Sequence, residues 1–200
     1  MEDVRENLNK KFNKACEEGE VYSLRQILKE YPGYINLENN DGYGFKKACE
    51  KGFVNIIDYL IKTKEVAKNI DLDFQENIGF FIACDNEKIE VLDYYFSHQE
   101  YKKMAGLINK VFITSCEKNN IKLYQFLKNI GLLNKINPKW NKWYGFKLAC
   151  KNEMTEIIND IIFELNMPLD EGIKEWLKEE KYERVINIFK KRDIYNQLKK

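Results

Sequence analysis

Residues 41–62 read DGYGFKKACEKGFVNIIDYLIK, and the order of residue types in that stretch decides the fold. Phe45, Ala48 and Cys49 are spaced i, i+3 and i+4, which puts them on one face of a helix. Gly52 marks a turn three residues after the cysteine. Val54, Ile57, Leu60 and Ile61 then make a second apolar stripe at helical spacing. The stretch is a helix pair joined by a short turn, an antiparallel hairpin.

The pattern recurs on both sides. FNKAC, FKKAC, FFIAC, FITSC and FKLAC close on Cys16, Cys49, Cys84, Cys116 and Cys150, at steps of 33, 35, 32 and 34 residues. A fixed period of this length means units that cannot bury an apolar face alone and stack on their neighbours. The sequence therefore predicts an all-α fold, a helix-pair solenoid of about five repeats in a single domain over 1–200. The repeats cover about 1–40, 41–75, 76–108, 109–141 and 142–170. Breakers separate several units: Pro32 and Gly33, Asp41 and Gly42, Asn137 and Pro138. The join from Tyr101 to Phe112 has Gly106 but no turn cluster, so the helix there is expected to start early. Residues 171–200 read as a C-terminal capping unit, with Leu177 aligned on the cysteine, Ile173 on the Phe, and a basic tail beyond.

Lys and Arg number 33 against 32 Asp and Glu, a net charge of +1 that gives no global pull toward nucleic acid or an anionic membrane. The longest apolar run, 78–84, is seven residues, far short of the roughly 18 that span a bilayer. The first residues, MEDVRENLNKKF, lack the apolar stretch of a secretory signal, and a cytoplasmic location is expected. One cysteine per repeat in an odd total fits reduced, buried thiols rather than a disulfide framework. No CxxC occurs and His98 is the single histidine, so no metal and no cofactor is expected. No catalytic constellation stands out either. His98 reads as a surface residue, and the adjacent pairs Glu17–Glu18 and Glu179–Glu180 diverge on their helices.

With these residues in register, the chain resembles ankyrin repeats. The family pattern T-P-L-H-x-A-A is followed by Gly three residues on; here Phe replaces its Leu and Ala-Cys its Ala-Ala. The likeness covers about 8–170. The Thr-Pro pair becomes Tyr43-Gly44, Ile78-Gly79 or Tyr144-Gly145, and the His becomes Asn13, Lys46, Phe81, Ile113 or Lys147. Shortened or lost β-hairpin fingers are what these departures imply, above all between the third and fourth units. Tetratricopeptide repeats share the period, but their Trp-Leu-Gly, Tyr, Ala, Phe, Pro order is not found. The Gly-Phe-x-x-Ala-Cys flavour in a Lys-, Asn- and Ile-rich chain is similar to divergent ankyrin proteins of large DNA viruses and some intracellular microbes. For a viral protein this implies the host cytoplasm.

The resemblance implies a non-enzymatic protein–protein interaction module that binds through connector loops and the concave face of an ankyrin-like solenoid, which shows the two residues just after each cysteine. Those residues run from acidic (Glu17, Glu18) through mixed (Glu50 and Lys51, Asp85 and Asn86, Glu117 and Lys118) to basic (Lys151, Asn152). Graded charge of this kind sets register and encounter rate. The stretch NPKWNKWYGF, 137–146, carries Trp140 and Trp143 in an expected connector, either as exposed anchors or as plugs for a gap in the core. Candidate partner-binding residues are Tyr43, Asp85, Asn86, Lys118, Trp140, Trp143, Tyr144, Lys151 and Asn152. The expected partner is another protein, without nucleic acid or membrane, and a monomer is expected rather than a homo-oligomer. The lysine groups at 10–14 and 190–200, with Arg192, are diluted by acidic neighbours. A different class of function, an assembly component that self-associates through its ends or its Trp-bearing edge, stays open.

Overall fold

The computed structural model describes residues 2–32, 34–35, 41–63, 71–98 and 100–198. Every regular element among them is helical. The chain divides into two compact units, Met1–Lys103 and Met104–Lys200. The first holds α1 (Glu2–Glu18), α2 (Val21–Glu30), α3 (Tyr43–Lys51), α4 (Val54–Lys62), α5 (Phe74–Asp85) and α6 (Ile89–Ser97). The second holds α7 (Ala105–Glu117), α8 (Ile121–Asn129), α9 (Trp140–Lys151), α10 (Thr155–Asn159), α11 (Glu171–Glu179) and α12 (Glu183–Leu198). A π-turn, Asp160–Glu164, prolongs α10. The early start expected before Phe112 is seen in α7. The connectors at 36–40 and 64–70 lie outside the described residues; Tyr101–Lys103 and Leu133–Lys135 are 3-10 turns, and 130–139 carries no strand.

Each cysteine closes a motif helix that turns sharply into its partner. Gly19 and Gly52 take the left-handed conformation (φ 77° and 89°), and Glu87, Asn119 and Glu153 adopt it without the freedom of glycine (φ 59°, 51° and 53°). The next N–H donates back to the carbonyl of the small residue before the cysteine: Glu20 to Ala15, Phe53 to Ala48, Lys88 to Ala83, Asn120 to Ser115 and Met154 to Ala149, all at 2.8–2.9 Å. These are Schellman ends, which satisfy the carbonyls a helix terminus would otherwise leave open.

The same bond corrects the register of the cap. There Tyr182 N–H donates to Leu177 O at 2.8 Å, with Lys181 left-handed (φ 60°). Leu177 therefore stands at the small-residue position, and Lys178, one residue later than expected, at that of the cysteine. Lys174 then replaces the Phe. The two positions that carry apolar side chains in the other motif helices are lysines in α11.

Within the first unit α3 packs between α1 and α5, and within the second α9 packs on α7. Glycine sets the spacing. A Cβ on Gly44 would lie 2.9 Å from Phe12 Cε1 and 3.0 Å from Cys16 Sγ. One on Gly79 would lie 2.8 Å from Phe45 Cε1 and 2.9 Å from Cys49 Sγ, and one on Gly145 2.5 Å from Phe112 Cε1. The glycine five residues before each cysteine thus seats its helix on the Phe of the preceding motif, and in the first unit on the preceding Cys as well. Lys11 and Val111 occupy this place in α1 and α7, the helices that open each unit.

A left-handed turn stands at the start of each following motif helix: Asp41–Gly42 just before α3, and Gln75–Glu76–Asn77 and Asn141–Lys142–Trp143 after the first residue of α5 and α9, all with positive φ. In the opening helices the matching residues are Asn9 and Asn109, each buried and each donating its amide to the carbonyl four residues back, Arg5 or Ala105, at 2.8 Å. Helix α1 consequently runs 17 residues and α7 13. The second stripe packs behind the motif helices through Ile56, Ile57 and Leu60, then Val91, Leu92, Tyr95 and Phe96, and in the second unit Leu123, Tyr124 and Leu127, then Ile157, Ile158, Ile161 and Ile162.

Candidate interaction face

The cysteines belong to the packing. All five are buried and free. Burial pushes the thiols of Cys16, Cys116 and Cys150 up to about 12, and that of Cys49 up as well. Such thiols are protonated at neutral pH and are poor nucleophiles and ligands. His98 ends α6 half-buried, its Nδ1 3.0 Å from Tyr94 O, between the rings of Tyr94 and Tyr101. Among the described residues no three His, Cys, Asp or Glu side chains converge as a metal site, and no helix is long and apolar enough to cross a membrane.

The nine candidate binding residues divide between the units. Tyr43, Asp85 and Asn86 lie in the first. Tyr43 donates its hydroxyl to Glu17 at 3.3 Å, and Asn86 its amide to Ile82 O at 2.9 Å. Asp85 is exposed at the end of α5.

In the second unit Asn152 donates to Cys116 O at 2.7 Å, which brings Lys118 and Asn152 to one edge. Tyr144 joins them, because the Glu117 carboxylate, first by its charge and then as a hydrogen-bond acceptor, pushes the Tyr144 hydroxyl up. Tyr43–Glu17 and Tyr144–Glu117 are the same link in the two units, from the start of one motif helix to the end of the one before. Part of the candidate set therefore ties helices together while staying at the surface.

The tryptophans separate. Trp140 begins α9 and is 46% exposed, whereas Trp143 is 5% exposed. The indole N–H of Trp143 donates to Asp170 at 2.7 Å, and its ring meets Phe146 edge-on at 5.5 Å. Trp143 is a plug, not an exposed anchor, and neither residue stands in a connector clear of the helices. The left-handed turn explains the difference, since it directs Trp143 inward while Trp140, Asn141 and Lys142 stay exposed. Asp170, N-cap of α11, is held below the usual carboxylate range by the Trp143 indole and then by Ile173 N–H.

Arg192 also leaves the surface. It donates to Met167 O at 2.7 Å and Ile162 O at 3.4 Å and lies 5.2 Å from the Phe189 ring centre, so it caps one carbonyl within the π-turn and one beyond it and is not open to phosphate.

Charge follows the division. Unit 1–103 has 20 acidic and 15 basic residues, net −5; unit 104–200 has 12 acidic and 18 basic, net +6. The overall +1 conceals this. It is legible in the sequence once the boundary is known. The chain matches no protein-family model, no curated protein and no solved structure.

Proposed function

We propose that this chain is a non-enzymatic, ankyrin-like helical-repeat module of the cell interior that binds another protein through the ends of its motif helices and the connectors before them. The observation that carries the reading is the glycine register, in which α3, α5 and α9 each seat on the Phe of the motif before. Within each unit, hairpins that stack in one direction by a repeated contact line up their helix ends, the arrangement repeat arrays use for recognition. The residues with reactive side chains are spent on packing: the thiols are buried and protonated, and His98 rests on a backbone carbonyl. Free thiols accord with a reducing compartment.

The test is site-specific photocrosslinking in the cells of origin, with the photoreactive residue placed at Asp85 or Tyr144 on the motif side, or at Tyr22 or Lys122 on the second-stripe helices. Protein adducts from the first pair and none from the second are expected. No adduct at either motif-side position refutes the reading.

One observation favours the assembly reading. Helix α12 leaves Ile194, Tyr195 and Leu198 exposed, Leu198 at 82%, where a polar end was expected. Light scattering during size-exclusion chromatography decides it, and a clean monomer removes this reading.

A further inference from the structure

We propose that the lysine-rich face around Trp140 is the docking site for an acidic segment of a partner protein. The inference rests on the binding-module reading and assigns its site and the chemistry of its partner.

From Lys118 to Asn152 the chain has eight lysines and no Asp, Glu or Arg. Carboxylates from outside this stretch neutralise one of them directly: Lys128 pairs with Asp160 at 2.8 Å and Glu156 at 3.6 Å. Lys147 lies over the Trp176 ring at 5.3 Å and Lys139 over Trp143 at 5.7 Å. Lys135, Lys139, Lys142 and Lys151 are exposed; among the described residues none of the four makes a direct ion pair with a carboxylate, and Asp170 acts on Lys139 through its charge alone. Lysines this close in sequence, with the one Asp170 carboxylate acting among them, leave an excess of positive charge that a partner's carboxylates would offset.

Trp140 supplies the anchor. It is the kind of rigid, amphipathic surface on which binding energy concentrates, and Tyr144, 39% exposed, follows the left-handed turn at 141–143. The segment that presents it is already ordered. The buried Asn109 carboxamide accepts Asn137 N–H at 2.8 Å. Asn137 in turn accepts Lys139 N–H on its side chain at 3.0 Å and Trp140 N–H on its carbonyl at 2.9 Å. Ile136 and Pro138 are buried, and the Trp143–Asp170 bond fixes the far end. A ligand meeting Trp140 therefore incurs little ordering cost from the protein side.

Carboxylates fit this face better than a nucleic-acid backbone. Single strands are held by successive stacking rings and by arginine forks, and here one well-exposed indole stands with lysines alone beside the Glu117 carboxylate. A short run of Asp or Glu beside one aromatic side chain matches both the ammonium groups and the indole.

The experiment measures fluorescence anisotropy of a short labelled peptide, alternating Asp and Glu around one Phe, with the full chain. Oligothymidylate is the parallel probe. Binding that weakens as salt rises from about 50 to about 300 mM is expected. Trp140→Ala should weaken it about tenfold or more. The combined Lys135→Gln, Lys139→Gln and Lys142→Gln variant should lose most of the affinity and its salt dependence, whereas Tyr22→Ala should change nothing. All these side chains are exposed, and circular dichroism checks that each variant folds. Peptide binding indifferent to these substitutions, or oligothymidylate bound more tightly, overturns the proposal. Salt-sensitive self-association that the triple variant abolishes also overturns it, since the occupant would then be a second copy. If the peptide fails to bind while crosslinks at Asp85 persist, this site falls and the module reading stands.

Discussion

Alanine at Gly79 should destabilise the protein, although alanine is the better helix former. A Cβ there would lie 2.6 Å from the Tyr95 hydroxyl, 2.8 Å from Phe45 Cε1 and 2.9 Å from Cys49 Sγ. All three neighbours are buried, and two are rings without room to swing. Overpacking of this kind costs about 1–3 kcal/mol, and three simultaneous clashes argue for the upper end. The helix gains back at most about 1 kcal/mol. The net loss is about 2 kcal/mol, which for a unit of this size lowers Tm by roughly 8–16 °C.

Gly106, second residue of α7, is the control, because its Cβ would meet nothing within 4 Å. Gly106→Ala should stabilise by about 0.5–1 kcal/mol. Thermal and urea melts followed by far-UV circular dichroism read both. Tryptophan emission reports on 104–200 alone, since Trp140, Trp143 and Trp176 all lie there. Opposite signs for one chemical change would establish close approach at Gly79. A Gly79→Ala protein as stable as wild type would refute the stacking register.

Trp143→Ala should cost about 3–5 kcal/mol through the emptied volume and the lost bond to Asp170, while Trp140→Ala should stay within about 0.5 kcal/mol; urea midpoints separate the two. Arg192→Ala should cost about 2–3 kcal/mol, because the carbonyls of Met167 and Ile162 lose a charged donor, while Lys191→Ala should be near neutral by the same measurement. Alkaline pH should weaken the fold. The thiols of Cys16, Cys116 and Cys150 titrate at about 12 when folded, against about 9 when unfolded. Stability from them is whole below about pH 9, where both states keep their protons. Above that it falls by about 1.4 kcal/mol per pH unit per thiol, as the unfolded chain alone ionises, up to about pH 12. Cys16→Ala with Cys116→Ala should flatten the decline of the urea midpoint between about pH 8 and about pH 10.5, and an unchanged slope would refute this account.

The hairpins and the packing role of the cysteines could be read from spacing, because Phe, small residue and Cys on one face leave few alternatives. The left-handed turns could not. Of their residues Gly42 carries the strongest local signal and Asp41, Asn77 and Asn141 a weaker one; Gln75, Glu76, Lys142 and Trp143 take positive φ because of what surrounds them. Anchor and plug stayed open for Trp143 for the same reason, since its hydrogen-bond partner lies 27 residues away. The cap register was ambiguous by one residue: Ile173 and Leu177 repeat the four-residue spacing of Phe and Cys, and only the backbone turn shows that they occupy the glycine and alanine places. The glycines themselves were visible, but as substitutes for a Thr-Pro pair. Their use as seats for the preceding Phe depends on a neighbour more than 30 residues back.

The two units repeat one plan at a distance of about a hundred residues. NKKFNKAC at 9–16 returns as NKVFITSC at 109–116, and YGFKKAC at 43–49 as YGFKLAC at 144–150. What returns is what the packing requires: the buried Asn, the Phe, the Cys and the seating glycine. Charge does not return. Residues 71–100 hold eight acidic side chains and the single basic Lys88, while 118–152 hold lysines and no acid. One scaffold thus carries either sign, so the fold does not demand the charge, and within each unit like charges repel. A feature that the scaffold tolerates at some cost, set beside an exposed tryptophan on an already ordered segment, has its explanation in what the surface meets, and this is the ground for looking to Trp140 and its lysines before the cysteines.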